Sequence, residues 1–488
     1  MKHSFKPPFN DALPDHPNRF ANYSHSLDVK PFRVFLWLKA LLFIVFFFAG
    51  EYTYAQKSKR PNIIFILTDD MGFGDIGCFN GSYKTPNIDR MAAEGRKFTS
   101  YYSASPICSP SRVGFLTGMH PAKWNITSFL QKKADNKLCE QADYLDTSAP
   151  SIARILKNSG YATAHFGKWH MGGGRDVDNA PSIKQYGFDE WSSTWESPDP
   201  DPLLTATDWI WSDVDSIKRW NRTGYWVDKT LSFLRSRNGQ PCYINLWPDD
   251  VHTPWVPGDD SVGRYPGKPE EEKSFLQVLT QYDKQIGRLF EGLKKLGIDN
   301  NTIVVFTSDN GPLPNFRHDR SASMRGTKLS LYEGGIRMPF IIRWPGTIRP
   351  GTTDSTSVIC AEDLLPSFCN LAGVKPGKER GDGENRMSVL LGKPAARSKR
   401  IFWEYGRNET VFKYAPGNDR SPSLAVRKEE WKLLMNSDGS KIELYNISKD
   451  SNEKNNLAAQ EREIAGSLQE ELLSWWKALP TLTSGKRQ

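Results

Sequence analysis

The sequence predicts an α/β fold: a large, mostly parallel central sheet flanked by helices, with a smaller C-terminal subdomain of antiparallel strands and a helix. Three observations lead to this prediction. Short apolar, β-branched runs alternate with segments whose apolar residues recur at three- and four-residue spacing. The 488 residues exceed the usual size of one domain. Beyond about residue 395 the pattern changes to short strand-like runs.

The elements follow in order along the chain. Predicted strands of the main sheet are 62–68, 161–166, 242–247, 302–307 and 339–344, and predicted helices are 85–94, 151–159, 224–236 and 270–296. The C-terminal strands are 400–405, 424–427, 431–435 and 443–446, followed by a helix over 461–479. We therefore divide the chain into an N-terminal extension with a signal peptide (1–55), a main domain (56–394) and a C-terminal subdomain (395–488).

Composition excludes several classes of protein. The charged fraction is 25%, and no low-complexity, coiled-coil or repeat pattern is present. The formal net charge of +8 is spread along the chain without a basic block, so no nucleic-acid partner is expected. A positive balance suits an anionic substrate.

The N-terminus carries an export signal. The apolar run ALLFIVFFFAG (40–50) is preceded by basic residues and followed by Thr53-Tyr54-Ala55, a small-x-small cleavage pattern. A membrane anchor is the alternative, but 34–50 is barely long enough to span a bilayer. We expect cleavage, a periplasmic or secreted protein, and no stable membrane insertion. Six cysteines are few for an exported protein of this length, so disulfides are not expected to be its main source of stability.

Acidic residues follow two of the predicted strands. Asp69 and Asp70 come after 62–68, and Asp309 and Asn310 come just after 302–307. The carboxyl ends of parallel strands share one edge of a sheet, where sites form. Carboxylate and amide oxygens are hard ligands that suit Ca²⁺ or Mg²⁺. Either pair alone fits a turn or helix cap, but together the two pairs favour a metal site.

Two other strands bring basic residues to the same edge. Lys168 and His170 follow 161–166, and His252 follows 242–247. A lysine there can neutralise an anion, and a histidine can move a proton. A single histidine is more often structural, but the shared location favours a functional role.

Cys108 lies in the segment Ser105 to Arg112. Ser109 suits a helix N-cap and Pro110 the first helical position, so Cys108 would lie at a helix N-terminus that favours a bound anion. Arg112 would lie one turn later on the same side. From these residues alone, a reactive thiol and an inert free cysteine are equal alternatives.

These residues belong to a larger set of motifs. C-S-P-S-R at 108–112, PNIIFILTDDMGFGDIGC, TPNIDRMAAEG, GKWHMG, TSDNGP and RGTKLSLYEGGIRMP occur in that order, with EEWKLL and ELYNISKDSNEKNNLA in the tail. Over about 60–478 the chain resembles the type I sulfatases of the alkaline phosphatase superfamily. The resemblance implies an alkaline phosphatase-like fold, with 56–394 as the catalytic domain.

The resemblance also implies a chemistry. In that family a separate formylglycine-generating enzyme oxidises the motif cysteine, here Cys108, to formylglycine (3-oxoalanine). Its hydrate attacks sulfur, and the covalent hemiacetal sulfate then collapses to aldehyde and free sulfate. One Ca²⁺ is implied, with ligands Asp69, Asp70, Asp309, Asn310 and the modified Cys108.

The other catalytic residues carry over in the same way. Arg112 would hold the formylglycine, Lys168 and Lys328 would bind sulfate oxygens, and Asp309 would take the proton of the attacking hydroxyl.

Proton transfer at the leaving group is implied for two histidines. His252, with Lys328, would donate to the leaving alcohol, and His170 would take the proton of the second hydroxyl. The chain departs from the family's common pattern with Thr327 and Leu329 in place of glycines and with Asp250-Val251 before His252.

A sulfated polysaccharide or oligosaccharide is the substrate we expect. Five tryptophans could build a sugar-stacking wall, although they could equally be core residues: Trp191, Trp195, Trp209, Trp211 and Trp220. The basic segment 315–325 follows the Asp309-Asn310 pair and is expected to overhang the site. The alternatives are a phosphate or phosphonate ester hydrolase of the same superfamily and a non-catalytic sulfated-glycan-binding protein.

Overall fold

The computed structural model describes residues 60–207, 209–258, 265–377, 381–407 and 412–480. The predicted signal segment, 40–50, lies outside these ranges. Within them, no helix is both long enough and apolar enough to cross a membrane.

A nine-stranded sheet forms the centre of the described chain. Its strands are β1 (Asn62–Thr68), β2 (Arg96–Tyr102), β3 (Ala162–Gly167), β4 (Glu190–Ser193), β5 (Cys242–Trp247), β6 (Thr302–Ser308), β7 (Arg337–Arg343), β8 (Thr352–Asp354) and β9 (Ile359–Cys360). The order is β4-β3-β5-β1-β6-β7-β2-β8, and β9 pairs with β2. Strand pairs are parallel except those that β7 makes with β6 and β2. The predicted mostly parallel sheet is confirmed.

Helices cover both faces of this sheet. They are α1 (Pro86–Glu94), α2 (Cys108–Thr117), α3 (Lys133–Leu138), α4 (Ile152–Asn158), α5 (Arg222–Ser236), α6 (Glu270–Lys295), α7 (Glu333–Ile336), α8 (Leu364–Leu371) and α9 (Met387–Leu390). Alternate residues of β1 enter different cores: Ile63 and Phe65 pack with α2, α4 and α8, whereas Ile64 and Ile66 pack with α5 and α6. A strand that is apolar on both faces is therefore buried on both faces.

The predicted strands all form, but β2, β4, β8 and β9 were not predicted. β2 begins with Arg96 and Lys97, whose charges mask the strand pattern. β7 runs antiparallel to its neighbours, so its carboxyl end lies at the opposite edge from those of β1 and β6. This direction explains why β7, alone among the five predicted strands, is followed by no site residues.

A second, four-stranded antiparallel sheet follows in the chain. It consists of β10 (Ile401–Glu404), β11 (Leu424–Lys428), β12 (Trp431–Met435) and β13 (Glu443–Asn446), and it is followed by helix α10 (Arg462–Lys477). Leu433 and Leu444 pack on Leu468 of α10. On the other side, Trp403 and Leu434 belong to the same apolar cluster as Cys108. The C-terminal sheet therefore packs directly behind the start of α2.

Candidate active site

Cys108 is the first residue of α2 and is buried, with 2% of its surface exposed. Its Sγ lies 3.6 Å from Oδ1 of Asp69. The predicted capping was wrong: Ile107 occupies the N-cap position, so Pro110 is not the first helical residue. The Ser109 hydroxyl instead accepts a hydrogen bond from the N–H of Leu130 at 3.0 Å. Cys108 does lie at a helix N-terminus, as predicted, and the N–H groups of Cys108 and Ser109 have no partner within the helix.

The environment of Cys108 disfavours a thiolate. Burial, only partly offset by Lys168 and Lys328, raises the pKa of the Cys108 thiol to about 12. An unmodified thiol at this position is therefore protonated at neutral pH and weakly nucleophilic. None of the six cysteines, all of which lie in the described residues, forms a disulfide.

Carboxylate and amide groups meet at the adjacent ends of β1 and β6. Asp69, Asp70, Asp309 and Asn310 are all at most 1% exposed. Oδ1 of Asp309 accepts from the Asp70 N–H at 3.2 Å, and Nδ2 of Asn310 donates to Oδ1 of Asp70 at 2.7 Å. Asp70 has a left-handed backbone with φ of 59°, and its carbonyl accepts from Arg320 at 2.7 Å. The structure thus brings the two predicted pairs together.

Arg112 joins the helix to this cluster. Its guanidinium donates to Oδ2 of Asp309 at 2.7 Å and to the Lys168 carbonyl at 2.9 Å, and it lies 3.5 Å from Asp69. The positive charge of Arg112 and the negative charges of Asp69 and Asp309 are buried side by side, so that no charge of this group is buried without a partner of opposite sign.

Two lysines neutralise the remaining carboxylate oxygens. Lys168 Nζ lies 2.8 Å from Asp69 Oδ2, and Lys328 Nζ lies 2.7 Å from Asp70 Oδ2. Both lysines are at least nine-tenths buried, and the carboxylates beside them raise their pKa although burial opposes this. Both ammonium groups are therefore fixed positive charges, suited to an anionic ligand.

The carboxylates differ in their ionisation. Burial is the largest influence on Asp69 and raises its pKa, but Lys168 and the other cations together hold that pKa well below its usual value. Burial and repulsion by Asp69 raise the pKa of Asp309 to about 7, despite Arg112. Neighbouring carboxyl groups with such different pKa values are typical of functional sites.

The two histidines flank the cluster. Nε2 of His170 lies 3.3 Å from the Leu130 carbonyl and 3.4 Å from Glu196 Oε1. Burial lowers the pKa of His170 to about 3, so it is neutral and able to accept a proton. Nε2 of His252 lies 3.4 Å from Lys328 Nζ, and burial lowers its pKa also.

A cavity of about 320 Å³ opens on these groups. It is lined by the catalytic candidates Asp69, Cys108, Lys168, His170, His252 and Lys328, and by Ile107, Phe129, Arg175, Thr194, Trp195, Glu196, Ile210, Asp249, Leu313, Leu329 and Lys413. Asp70, Arg112, Asp309 and Asn310 are not in its wall and lie behind it. All ten predicted site residues therefore meet at one place.

Sequence reasoning missed Glu196, Arg175 and Lys413. Glu196 accepts from Arg175 at 2.8 Å and faces His170, but it follows the short strand β4, which has no clear periodicity. Lys413 reaches the cavity from the C-terminal subdomain. No local pattern in the sequence signals that contact.

The predicted basic rim over 315–325 was wrong. Arg320 is buried in an ion pair with Asp75 at 2.9 Å, and Arg325 stacks 3.7 Å from the Tyr332 ring centroid. His318 pairs with Asp419 at 2.9 Å. Among the described residues lining the cavity, none comes from this segment.

The segment carrying Lys328 is held by the C-terminal subdomain. Oδ1 of Asp419 accepts from the Gly326 N–H at 3.0 Å. Lys432 on β12 pairs with Glu333 at 3.0 Å and with Glu453 at 2.9 Å, and all three are buried. The position of Lys328 therefore depends on anchors about a hundred residues away.

Leu329 occupies one of the positions where the resembled family often has glycine. Its φ is 73°, in the left-handed region that favours glycine. Its N–H donates to the Pro106 carbonyl at 2.9 Å, and its side chain lines the cavity. Leucine therefore adopts a strained backbone here, and its side chain narrows the site.

The residues present suit a hard divalent cation. Asp69, Asp70, Cys108 and His252 offer ligand atoms that all lie within 4.8 Å of one another. Oδ1 of Asn310 is buried without a hydrogen-bond partner, and it is an atom that a cation would satisfy. The carboxylate oxygens of Asp69 and Asp70 and this amide oxygen are donors that favour Ca²⁺ or Mg²⁺.

The fold and site together define a hydrolase of anionic esters, with fixed cations and proton-transfer groups around one buried candidate nucleophile. The sequence matches the Sulfatase family over residues 61–374 and "N-sulphoglucosamine sulphohydrolase, C-terminal" over 327–477. The chain belongs to the sulfatase family and is a sulfuric ester hydrolase.

Individual relatives agree with this assignment. The chain is 29% identical to N-acetylgalactosamine-6-O-sulfatase of Bacteroides thetaiotaomicron, with 86% of this chain and 94% of the relative covered. It is 31% identical to the rat N-acetylgalactosamine-6-sulfatase over 69% of this chain and 67% of the relative. The crystal structure of Ps i-CgsB in complex with k-i-k-neocarrahexaose is 26% identical, with a TM-score of 0.71, covering 85% of this chain and 92% of that one.

Proposed function

We propose that the enzyme removes sulfate from a sulfated polysaccharide or oligosaccharide, and that formylglycine at position 108 is its nucleophile. The observation that carries this proposal is the position of Cys108. It is the first residue of a buried helix, lines the cavity, and lies beside Asp69 within a cluster of fixed cations.

The chemistry of the site favours an oxygen nucleophile over the thiol. A thiol with a pKa of about 12 is a weak nucleophile at neutral pH. Sulfur is also a soft ligand among hard oxygen donors, whereas an oxygen-bearing side chain would match them. When present, a hydrated aldehyde at position 108 supplies one hydroxyl to attack sulfur and a second whose deprotonation releases sulfate.

Calcium fits the carboxylate cluster. We propose Asp69, Asp70, Asp309, Asn310 and the modified residue 108 as its ligands. The ion would supply Lewis-acid polarisation of a sulfate oxygen and charge compensation for the carboxylates.

The basic residues bind and orient the reacting groups. Arg112 is fixed by Asp309 and the Lys168 carbonyl, so its guanidinium can hold the side chain at position 108 in place. Lys168 and Lys328 line the cavity, and their ammonium groups neutralise sulfate oxygens. Preorganised charges of this kind stabilise a transition state most strongly where water is excluded.

The histidines divide the proton transfers. His252 acts with Lys328 to protonate the leaving alcohol oxygen: the Lys328 ammonium lies 3.4 Å from Nε2 and supplies the proton that a histidine of lowered pKa does not itself carry. His170 is neutral and takes the proton of the second hydroxyl, and the nearby Glu196 stabilises the imidazolium that results. Asp309, with its raised pKa, accepts the proton of the attacking hydroxyl.

The carbohydrate substrate is supported by the cavity and by the relatives. Aromatic and apolar side chains line the wall beyond the catalytic groups, Phe129 and Trp195 among them. Two relatives are named for N-acetylgalactosamine 6-sulfate, and a structural neighbour was solved with a bound neocarrahexaose. The apolar run 40–50 supports export to the periplasm or beyond, where such polymers occur, and maturation would require a formylglycine-generating enzyme.

Two measurements test this proposal. Mass spectrometry of the tryptic peptide 98–112 from active enzyme should find formylglycine, and only unmodified cysteine in active protein would contradict the mechanism. Sulfate release from a panel of sulfated glycans, with p-nitrophenyl sulfate and p-nitrophenyl phosphate as controls, should favour a glycan. Cys108→Ala is the matched variant and should fold but release no sulfate.

A further inference from the structure

The catalytic cavity is small for a polymer. Its volume of about 320 Å³ is at the lower end of small-molecule sites, which span about 300–1,000 Å³. The catalytic groups already occupy one wall. The cavity can therefore take the sulfated sugar, but a neighbouring sugar of the same chain must lie outside, on the rim.

Trp209 lies on that rim. Its ring centroid is 6.0 Å from that of Trp195, with 37° between the ring planes. Trp195 lines the cavity and is 6% exposed, and the residue after Trp209, Ile210, lines it too. Trp209 itself is 56% exposed. The two indoles therefore form a continuous aromatic surface from the cavity wall to solvent.

Isolated exposed apolar residues are common and need no explanation. Trp209 differs from such residues because it packs against the wall of the catalytic cavity. Its large, rigid side chain also has few rotamers to lose on binding.

Charged side chains pack beside Trp195, the inner of the two indoles. Arg175 lies with Cζ 4.8 Å from the Trp195 ring centroid and donates to Glu196 at 2.8 Å. Arg175, Glu196 and Thr194 all line the cavity, where they can bind sugar hydroxyls. An apolar platform beside fixed polar groups suits a pyranose ring, which has C–H faces and hydroxyl edges.

We propose that Trp209 binds the sugar next to the sulfated one, with Trp195 as the wall shared by the two subsites. This inference rests on the proposed function, because a neighbouring ring exists only if the substrate is a glycan. The subsite at Trp209 makes the enzyme selective for sulfated oligosaccharides over the corresponding monosaccharide.

Kinetics on paired substrates test the proposal. Trp209→Ala should lower kcat/KM about five- to tenfold, through KM, on the best sulfated tetrasaccharide of the glycan panel. Turnover of the matching sulfated monosaccharide and of p-nitrophenyl sulfate should not change. Trp209→Phe should retain most of the activity. Val214→Ala, which alters another residue of the same segment that is 66% exposed, is the control and should have no effect.

Each contrary result identifies what has failed. An equal loss on all three substrates, or no loss on the tetrasaccharide, would overturn the role of Trp209. Turnover of p-nitrophenyl sulfate but of no oligosaccharide would overturn it as well, leaving the sulfatase chemistry intact. No turnover of any sulfate ester would contradict the proposed function itself.

Binding gives an independent measurement that needs no turnover. Cys108→Ala protein is titrated calorimetrically with chondroitin 6-sulfate and ι-carrageenan tetrasaccharides. Adding Trp209→Ala should raise the Kd of the bound tetrasaccharide about five- to tenfold. An unchanged Kd, or no binding of either sugar, would overturn the inference.

Discussion

Arg112 donates from Nη2 to Oδ2 of Asp309 at 2.7 Å, and neither side chain is accessible to solvent. Removing the arginine leaves Asp309 buried near two other carboxylates. Arg112→Ala should lower the free energy of unfolding by about 3–5 kcal/mol, measured by urea denaturation. Arg90→Ala, which breaks an exposed pair with Glu291, should cost less than about 1 kcal/mol. Equal effects of the two changes would contradict this reading.

The proposed calcium site predicts that chelation affects both stability and activity. Without bound Ca²⁺, the repulsion among the buried Asp69, Asp70 and Asp309 is offset only in part by Arg112 and the neighbouring lysines. Excess EDTA should lower Tm and stop sulfate release, and added Ca²⁺ should restore both. At a concentration one hundred times Kd, Ca²⁺ would add about 2.7 kcal/mol of stability. A Tm that does not respond to EDTA or Ca²⁺ would argue against a calcium site.

The role of His252 predicts a dependence on the leaving group. His252→Gln should lower kcat about 10²- to 10⁴-fold for a sugar sulfate, whose alcohol needs a proton to leave. The loss on p-nitrophenyl sulfate should be much smaller because nitrophenolate leaves without one. The ratio of the two rates is the measurement, and a uniform loss would assign His252 a different role.

Glu453 predicts a pH dependence of stability. Burial raises the pKa of this carboxyl from its ordinary value of 4.5 to about 7 in the folded protein. Between these values the folded state binds more protons than the unfolded state, so the contribution of Glu453 to stability falls as pH rises.

The matched variant for this prediction is Glu453→Gln. Urea unfolding at several pH values from about 4.5 to 7 should show a shallower fall in stability for the variant than for the unchanged protein. Identical slopes would show that Glu453 does not titrate in this range.

The candidate site was largely predictable because its residues directly follow apolar strands or lie in one compact motif. Asp69, Lys168 and Asp309 are examples, since a parallel sheet brings its carboxyl ends to one edge. His252 lies five residues beyond β5 and still reaches the same cavity.

The errors arose where contacts distant in sequence decide the structure. Ser109 was predicted to cap its helix, but its hydroxyl accepts a hydrogen bond from the N–H of Leu130 instead. The basic residues 315–325 were predicted to overhang the site, but Arg320 pairs with Asp75 and His318 with Asp419, both distant in sequence. No local pattern contains such partners.

The anchoring of Lys328 links the catalytic centre to the C-terminal sheet. Asp419 and Lys432 hold the segment on either side of Lys328, and Lys413 reaches into the cavity. A shortened gene that encodes only the parallel-sheet region would therefore yield a poorly organised site. In evolution the two regions would have to be inherited together, with Asp419 and Lys432 constrained. Lys413, an exposed residue on the cavity rim, would be free to change with the substrate.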